Sequence, residues 1–306
     1  MTETIYSGIL PVVPTTFTEI GDLDLESQRR ALDCMVDQGV DGACILANFS
    51  EQFLLTDEER DTLLAESLKH VAGRIPIIVT CSHFSTRIAV ERAKRAEAAG
   101  AAMIMMMPPY HGTALKADEK GIREHFEQIA GAIGIPIMLQ DAPLSGVTLS
   151  IRFLAELVGA IPQVAYFKIE TPGAAAKIRG LIEAMGDAVK GPLDGEESIT
   201  LMADLDAGAT GSMSSALLPE LIKPVIALHR DDRRDEAAAQ YARILPLINF
   251  ENRQCGLRAC KTVMKEGGVI KSDYVRHPLE PLHPATKEGL LDLARGLDVI
   301  ALRWGR

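Results

Sequence analysis

Residues 86–107 read Thr-Arg-Ile-Ala-Val-Glu-Arg-Ala-Lys-Arg-Ala-Glu-Ala-Ala-Gly-Ala-Ala-Met-Ile-Met-Met-Met. A helical pattern over Thr86–Ala99 stops at Gly100, and the apolar run Ala102–Met107 follows at once. Glycine suits the position just past a helix because it takes the left-handed conformation without a Cβ penalty. A run that is apolar throughout, rather than alternating, is what a parallel strand covered on both faces requires. The same punctuation extends in both directions. Arg29–Gln38 ends at Gly39 before Gly42–Ala47, and Thr56–Ala72 ends at Gly73 before Pro76–Cys81. Further on, Gly134 precedes Ile135–Leu139, Gly159 precedes Val164–Phe167, Gly186 precedes Val189–Leu193, and Gly208 precedes Ala209–Met213. These glycines lie 22 to 34 residues apart, the length of one strand and one helix. With Ile9–Val13 as the first strand, eight strands alternate with helices. A doubly wound sheet would carry a glycine-rich phosphate loop after its first strand, and Pro14-Thr-Thr-Phe17 is not one. The reading is therefore α/β, a (β/α)8 TIM barrel over residues 1–228. Beyond Pro219 no strand follows, and Glu236–Leu247, Gln254–Glu266 and Ala285–Leu302 have helical spacing. Residues 229–306 are predicted to be a C-terminal helical extension.

The chain has 306 residues, 47% of them apolar and 24% charged, which suits one barrel with an appendage. No apolar run approaches the ~18 residues of a spanning helix. Met1–Ser7 is polar and no apolar segment follows, so no secretory leader is expected. Lys and Arg number 32 against 42 Asp and Glu, a net charge of −10. That balance argues against nucleic acid and anionic membrane as partners and leaves a small-molecule substrate. The five cysteines, Cys34, Cys44, Cys81, Cys255 and Cys260, are odd in number and scattered. They point to a reducing cytoplasm. The seven histidines have no ligand spacing, and Cys255 and Cys260 match no zinc motif. Asp194, Glu196 and Glu197 lack a histidine partner, so no metal is expected.

Barrel enzymes work at the C-terminal ends of their strands. In this chain those ends carry Thr15 and Thr16, then Asn48, Ser50 and Glu51, then Ser82 and His83. Tyr110 follows, then Gln140 and Asp141, Lys168 and Glu170, Asp194, and last Ser212 and Ser214. Lys168 stands out because it interrupts an apolar strand, Val164-Ala-Tyr-Phe-Lys-Ile169. Desolvating an ammonium costs several kcal/mol, and that cost favours the neutral amine that attacks a carbonyl. Glu170, two residues on, shares its strand face. The pair reads either as a Schiff-base lysine with a carboxylate proton shuttle or as a structural ion pair at a barrel mouth. Tyr110, in Met107-Pro-Pro-Tyr110, is a proton relay or a pocket wall. Asn48-Phe-Ser-Glu-Gln52 is a polar turn whose amides can hold a carboxylate, or an ordinary loop.

Taken together, these residues resemble the dihydrodipicolinate synthase / N-acetylneuraminate lyase family of class I barrel enzymes. Gly8-Ile-Leu-Pro-Val-Val-Pro-Thr-Thr-Phe17 is similar to the family's first strand, and Lys168 falls where its Schiff-base lysine stands. Tyr110 matches the family's tyrosine after strand four. Ala47-Asn-Phe-Ser-Glu51 occupies the place of its Gly-Thr-Thr-Gly-Glu carboxylate-binding loop. The helical tail is similar to the family's own extension. The resemblance implies a homo-tetramer, with Tyr110 reaching a neighbouring subunit's site. It also implies substrate contacts from Asn48, Phe49, Ser50 and Gln140, and from Asp194, Ser212 and Ser214 to sugar hydroxyls.

The departures bear on the reaction. The family's Tyr-Asn-x-Pro after strand five is Gln140-Asp-Ala-Pro143, and the arginine of the synthases is missing from Leu144-Ser-Gly-Val147. After the lysine stand Ile169 and Glu170, not the lyases' aromatic residue and threonine. This combination looks like the family's dehydratases of L-2-keto-3-deoxyarabonate. An iminium on Lys168 acidifies C3 of a 2-keto-3-deoxy acid. Retro-aldol cleavage then needs the C4 hydroxyl deprotonated, which Gln140 cannot do because it has no titratable proton. Elimination needs a C3 proton removed and the C4 hydroxyl protonated, work that Glu170 can do. The expected product is 2-oxoglutarate semialdehyde, and no cofactor is required because the lysine is the electron sink. Three alternatives stand beside this reading. They are a class I aldolase of a 2-keto-3-deoxy acid, a dihydrodipicolinate-synthase-like enzyme, and a non-catalytic barrel that binds a sugar acid.

Overall fold

The computed structural model describes residues 5–111 and 115–306; Met1–Thr4, part of the polar start noted above, lie outside the described residues. In chain order the strands are β1 (Gly8–Ile9), β2 (Ala43–Ile45), β3 (Ile77–Thr80), β4 (Met103–Met106), β5 (Tyr110–His111), β6 (Leu115–Lys116), β7 (Ile137–Asp141), β8 (Val164–Ile169), β9 (Gly191–Asp194) and β10 (Gly211–Ser212). The helices are α1 (Leu25–Asp37), α2 (Asp57–Val71), α3 (Thr86–Ala98), α4 (Glu119–Ala130), α5 (Ile151–Ala160), α6 (Ala174–Met185), α7 (Leu201–Asp206), α8 (Pro219–Arg230), α9 (Arg234–Phe250), α10 (Arg258–Glu266) and α11 (Pro284–Gly296). Gly100 adopts φ +93 just past α3, the left-handed stop that the sequence calls for. Thr56 and Glu59 form a reciprocal capping box at the start of α2.

The chain divides into two compact units. The first holds Ile77–Glu196 and Thr200–Met213 with the residues before Gly8. Within it β3, β4, β7, β8, β9 and β10 pair in parallel, each with the next. All side chains of β3, β4, β7, β8 and β9 are buried, which explains why their sequences do not alternate. Register decides what each strand points at. Lys168 lies opposite Gln140 and Leu193, so these three share one face of the sheet. Met138 pairs with Met105 and with Tyr166, which puts the thioethers on that same face. Phe167 and Ile169 point the other way.

The second unit holds Gly8–Pro76, Glu197–Ile199 and Ser214–Arg306. In it Val12 forms parallel bridges to Cys44 on one side and Ser215 on the other. The stretch expected to be the first strand is thus flanked within this unit by Cys44 of β2 and by Ser215. Helices α9, α10 and α11 correspond to the three expected from spacing. Helix α10 starts later than expected because Glu251–Cys255 form a π-turn ahead of it. The sequence reading places no helix over Pro219–Arg230, where α8 begins with proline at its first position. No described helix is long and apolar enough to cross a membrane.

Candidate active site

Lys168 is 3% exposed, and its Nζ bonds Glu170 Oε1. The same oxygen accepts from Gln140 Nε2 at 2.8 Å. Strand alternation brings the three together: Lys168 and Glu170 lie two apart on β8, and Gln140 is the registered neighbour on β7. The cluster is a buried amine, one carboxylate, and an amide that orients that carboxylate without any proton to exchange. Gly195 makes room for it. A Cβ there would stand 2.8 Å from Lys168 Cγ, from Glu170 Cγ and from the Ile169 carbonyl oxygen. Sequence reasoning missed Gly195, since a glycine one residue past a strand looks like any loop glycine.

Asp141, the other half of the Gln140-Asp141 departure, faces the opposite way. It pairs with Lys177 of α6, which also donates to the Leu149 carbonyl at 2.7 Å. Burial, the larger effect, pushes the Asp141 carboxyl up against the pull of Lys177. Asp194 and Ser212 also stand on the face away from Lys168, because Asp194 registers with Ile169 and Ser212 registers with Asp194. Ser212 Oγ donates to Asp194 Oδ2 at 2.6 Å. Asp204 of α7 joins them and accepts from Thr200 at 2.8 Å; burial, then the charge of Asp194, raises its carboxyl. The strand ends thus carry two sets of side chains, and only one set lies with the lysine.

Tyr110 opens the β5–β6 hairpin and is half-buried, with burial pushing its phenol up to about 12. It is therefore a protonated donor at neutral pH. His83 accepts from the Ser85 amide at 2.9 Å, a rim contact. In the second unit, Asn48–Ser50 form a single 3-10 turn. Gln52 Nε2 donates to Asn48 Oδ1 at 2.6 Å. Phe49 is half-buried. Ser50 Oγ donates to the Val13 carbonyl at 2.6 Å, so its proton is committed to the backbone of the first strand. Thr15 returns the contact by donating to the Ser50 carbonyl at 2.7 Å. Ser214 Oγ donates to the Ser215 carbonyl at 3.0 Å. Among the described residues no group of three or more His, Cys, Asp or Glu is placed to hold a metal ion.

Parallel strands alternating with helices, and a lysine buried on a strand beside a carboxylate, are the marks of the imine-forming barrel enzymes. The chain belongs to the dihydrodipicolinate synthetase family, which matches residues 5–296. It is 56% identical over 299 residues to an L-2-keto-3-deoxyarabonate dehydratase of Azospirillum brasilense, covering 98% of this chain and 97% of that one. It is 32% identical over 304 residues to a 4-hydroxy-tetrahydrodipicolinate synthase of Xanthomonas axonopodis pv. citri, covering 97% and 95%. Among solved structures, a prophage protein of this family from E. coli K12, in complex with pyruvate, superposes with a TM-score of 0.88. It is 26% identical, covering 97% of this chain and all of the other. The synthase of Aquifex aeolicus, 24% identical, gives a TM-score of 0.89 over 96% and 98% of the two chains, a likeness of fold. The barrel expected from the glycine rhythm is the fold of this family.

Proposed function

We propose that this protein is a lyase that dehydrates a 2-keto-3-deoxy sugar acid through an imine on Lys168. The substrate is L-2-keto-3-deoxyarabonate and the product 2-oxoglutarate semialdehyde. The observation that carries the proposal is the Glu170 carboxylate bonded to both Lys168 and Gln140. The 56% identity to a dehydratase of that substrate supports it.

Lys168 Nζ adds to the C2 ketone and expels water, giving an iminium that draws electrons from C3. Glu170 removes a C3 proton to give the enamine. The enamine pushes out the C4 hydroxyl, which takes a proton and leaves as water, so that C3 and C4 become doubly bonded. Loss of a C5 proton and reprotonation at C3 convert the C5 alcohol, through its enol, into an aldehyde. Hydrolysis of the imine frees the product and Lys168. The sum is loss of one water. Retro-aldol cleavage would instead need a base at the C4 hydroxyl, and the amide of Gln140 is not one.

Tyr110 is assigned the proton transfers at the carbinolamine. The Asn48 and Phe49 amides are assigned the substrate carboxylate, and Gln140 a substrate hydroxyl. The register of Asp194 and Ser212 favours a supporting role behind the strands for these two, and Ser214 is assigned the same. Residues 1–228 are the catalytic barrel domain in this reading, and the helices of 229–306 are its extension. The five cysteines are buried thiols with no disulfide among them, which supports a reducing cytoplasm. The family resemblance supports a homo-tetramer. The deciding experiment is product analysis with 2-keto-3-deoxy-L-arabonate. Semialdehyde without pyruvate supports dehydration, and pyruvate with glycolaldehyde refutes it. Borohydride reduction in the presence of pyruvate must leave its adduct on Lys168.

A further inference from the structure

Glu51 is the residue of the Ala47–Glu51 turn that keeps the family's identity, and its surroundings give it work distinct from ligand binding. Its side chain is wholly buried and its backbone is left-handed, with φ +57 and ψ 36. An L-residue adopts that conformation only when its surroundings hold it. Two contacts to its carboxylate do so, and a ring behind them holds the two cationic side chains in place. Lys261, in the middle of α10 and itself 0% exposed, donates to Glu51 Oε1 and to the Tyr274 carbonyl at 2.9 Å. The Arg276 backbone amide donates to Glu51 Oε2 at 2.9 Å. The Lys261 ammonium and the Arg276 guanidinium each sit 4.4 Å from the centre of the Phe17 ring, which closes the first strand's Pro14–Phe17 segment. On its other side the turn is fixed by the Ser50 and Thr15 contacts to the first strand.

We propose that Lys261 and Glu51 are a positioning pair that sets the backbone of the Asn48–Ser50 turn for recognising the carboxylate of the 2-keto acid. The inference rests on the reading of that turn given above. Neither residue touches the substrate. The ion pair fixes the left-handed residue that ends the turn, and the amides before it keep their direction.

The test uses Glu51→Gln with Lys261→Met in one double variant, which leaves no unpaired charge in the interior. Should that protein not fold, Glu51→Asp is measured in the same way, since it keeps the charge and shortens its reach. Two ketones report separately: pyruvate, which has the carboxylate, and hydroxyacetone, which does not. The half-saturating pyruvate concentration for borohydride trapping, and KM for the sugar acid, should rise about tenfold or more. The turnover number should stay within about threefold, and hydroxyacetone trapping should be unchanged. Unchanged half-saturation by pyruvate, or equal weakening of both ketones, overturns the positioning role. If the unaltered protein traps the two ketones at equal concentrations, the turn is not the carboxylate site, and the assignment beneath the inference fails instead.

Discussion

Gln140 donates its amide to Glu170 across 2.8 Å, onto the very oxygen that receives the Lys168 amine. One carboxylate is thereby aimed by a group that cannot titrate and coupled to the group that forms the imine. Glu170→Gln keeps the shape and removes the base. Turnover should fall by about 10²- to 10⁴-fold. Pyruvate should still be trapped on Lys168 by borohydride. Turnover at the unaltered rate would take Glu170 out of the mechanism.

Gln140→Tyr restores the phenol of the Tyr-Asn-x-Pro pattern that Gln140-Asp-Ala-Pro143 replaces. It also withdraws the amide from Glu170. The product mixture from 2-keto-3-deoxy-L-arabonate should shift from semialdehyde toward pyruvate and glycolaldehyde, read by chromatography. Semialdehyde alone, at reduced rate, would show that this position does not select between the two outcomes.

Gly195→Ala places a methyl group 2.8 Å from carbon atoms of both Lys168 and Glu170 and from a backbone oxygen. Overpacking of this kind costs about 1–3 kcal/mol. Urea unfolding should show that loss, and the rate of pyruvate trapping should drop with it, because the displaced atoms belong to the reacting side chains. Unaltered trapping in a destabilised protein would separate the two effects and refute the coupling.

Glu251, at the start of the π-turn, is wholly buried, and burial pushes its carboxyl up to about 8, opposed by the Ser215 hydroxyl. The folded protein therefore holds this proton at neutral pH, whereas the unfolded chain has released it. Because the folded value lies above the ordinary 4.5, the contribution is fully present below about 4.5 and is lost as pH rises toward 8. Glu251→Gln removes that slope. At pH 7 the variant should be more stable by roughly 3.5 kcal/mol, since pH 7 lies 2.5 units above the ordinary value of 4.5, at about 1.4 kcal/mol each. Parallel pH–stability curves for the two proteins would refute the assignment.

The barrel was legible because glycine stops and unbroken apolar runs are local properties. Gly39, Gly73, Gly100 and Gly208 all take the left-handed backbone foreseen for them. The partnership of Lys168 and Glu170 was legible too, since strand alternation fixes it. Alternation applied to the neighbouring strands would have set Asp194 apart from the lysine, but that requires register, which a single chain does not print. Asp141 looked like half of a site motif, yet its partner Lys177 lies 36 residues away on a helix. Lys261 was missed for a similar reason. A lone lysine within Ala259-Cys260-Lys261-Thr262-Val263-Met264 reads as one polar face of a helix until a distant carboxylate is found beside it.

The thioether side chains on the lysine's sheet face carry a consequence for how the interior tolerates change. Met105 and Met138 are fully buried, and their unbranched chains rotate at three bonds, so they fill gaps that a β-branched residue would leave open. Exchange of either for leucine conserves volume and should cost less than about 1.5 kcal/mol, read by urea unfolding.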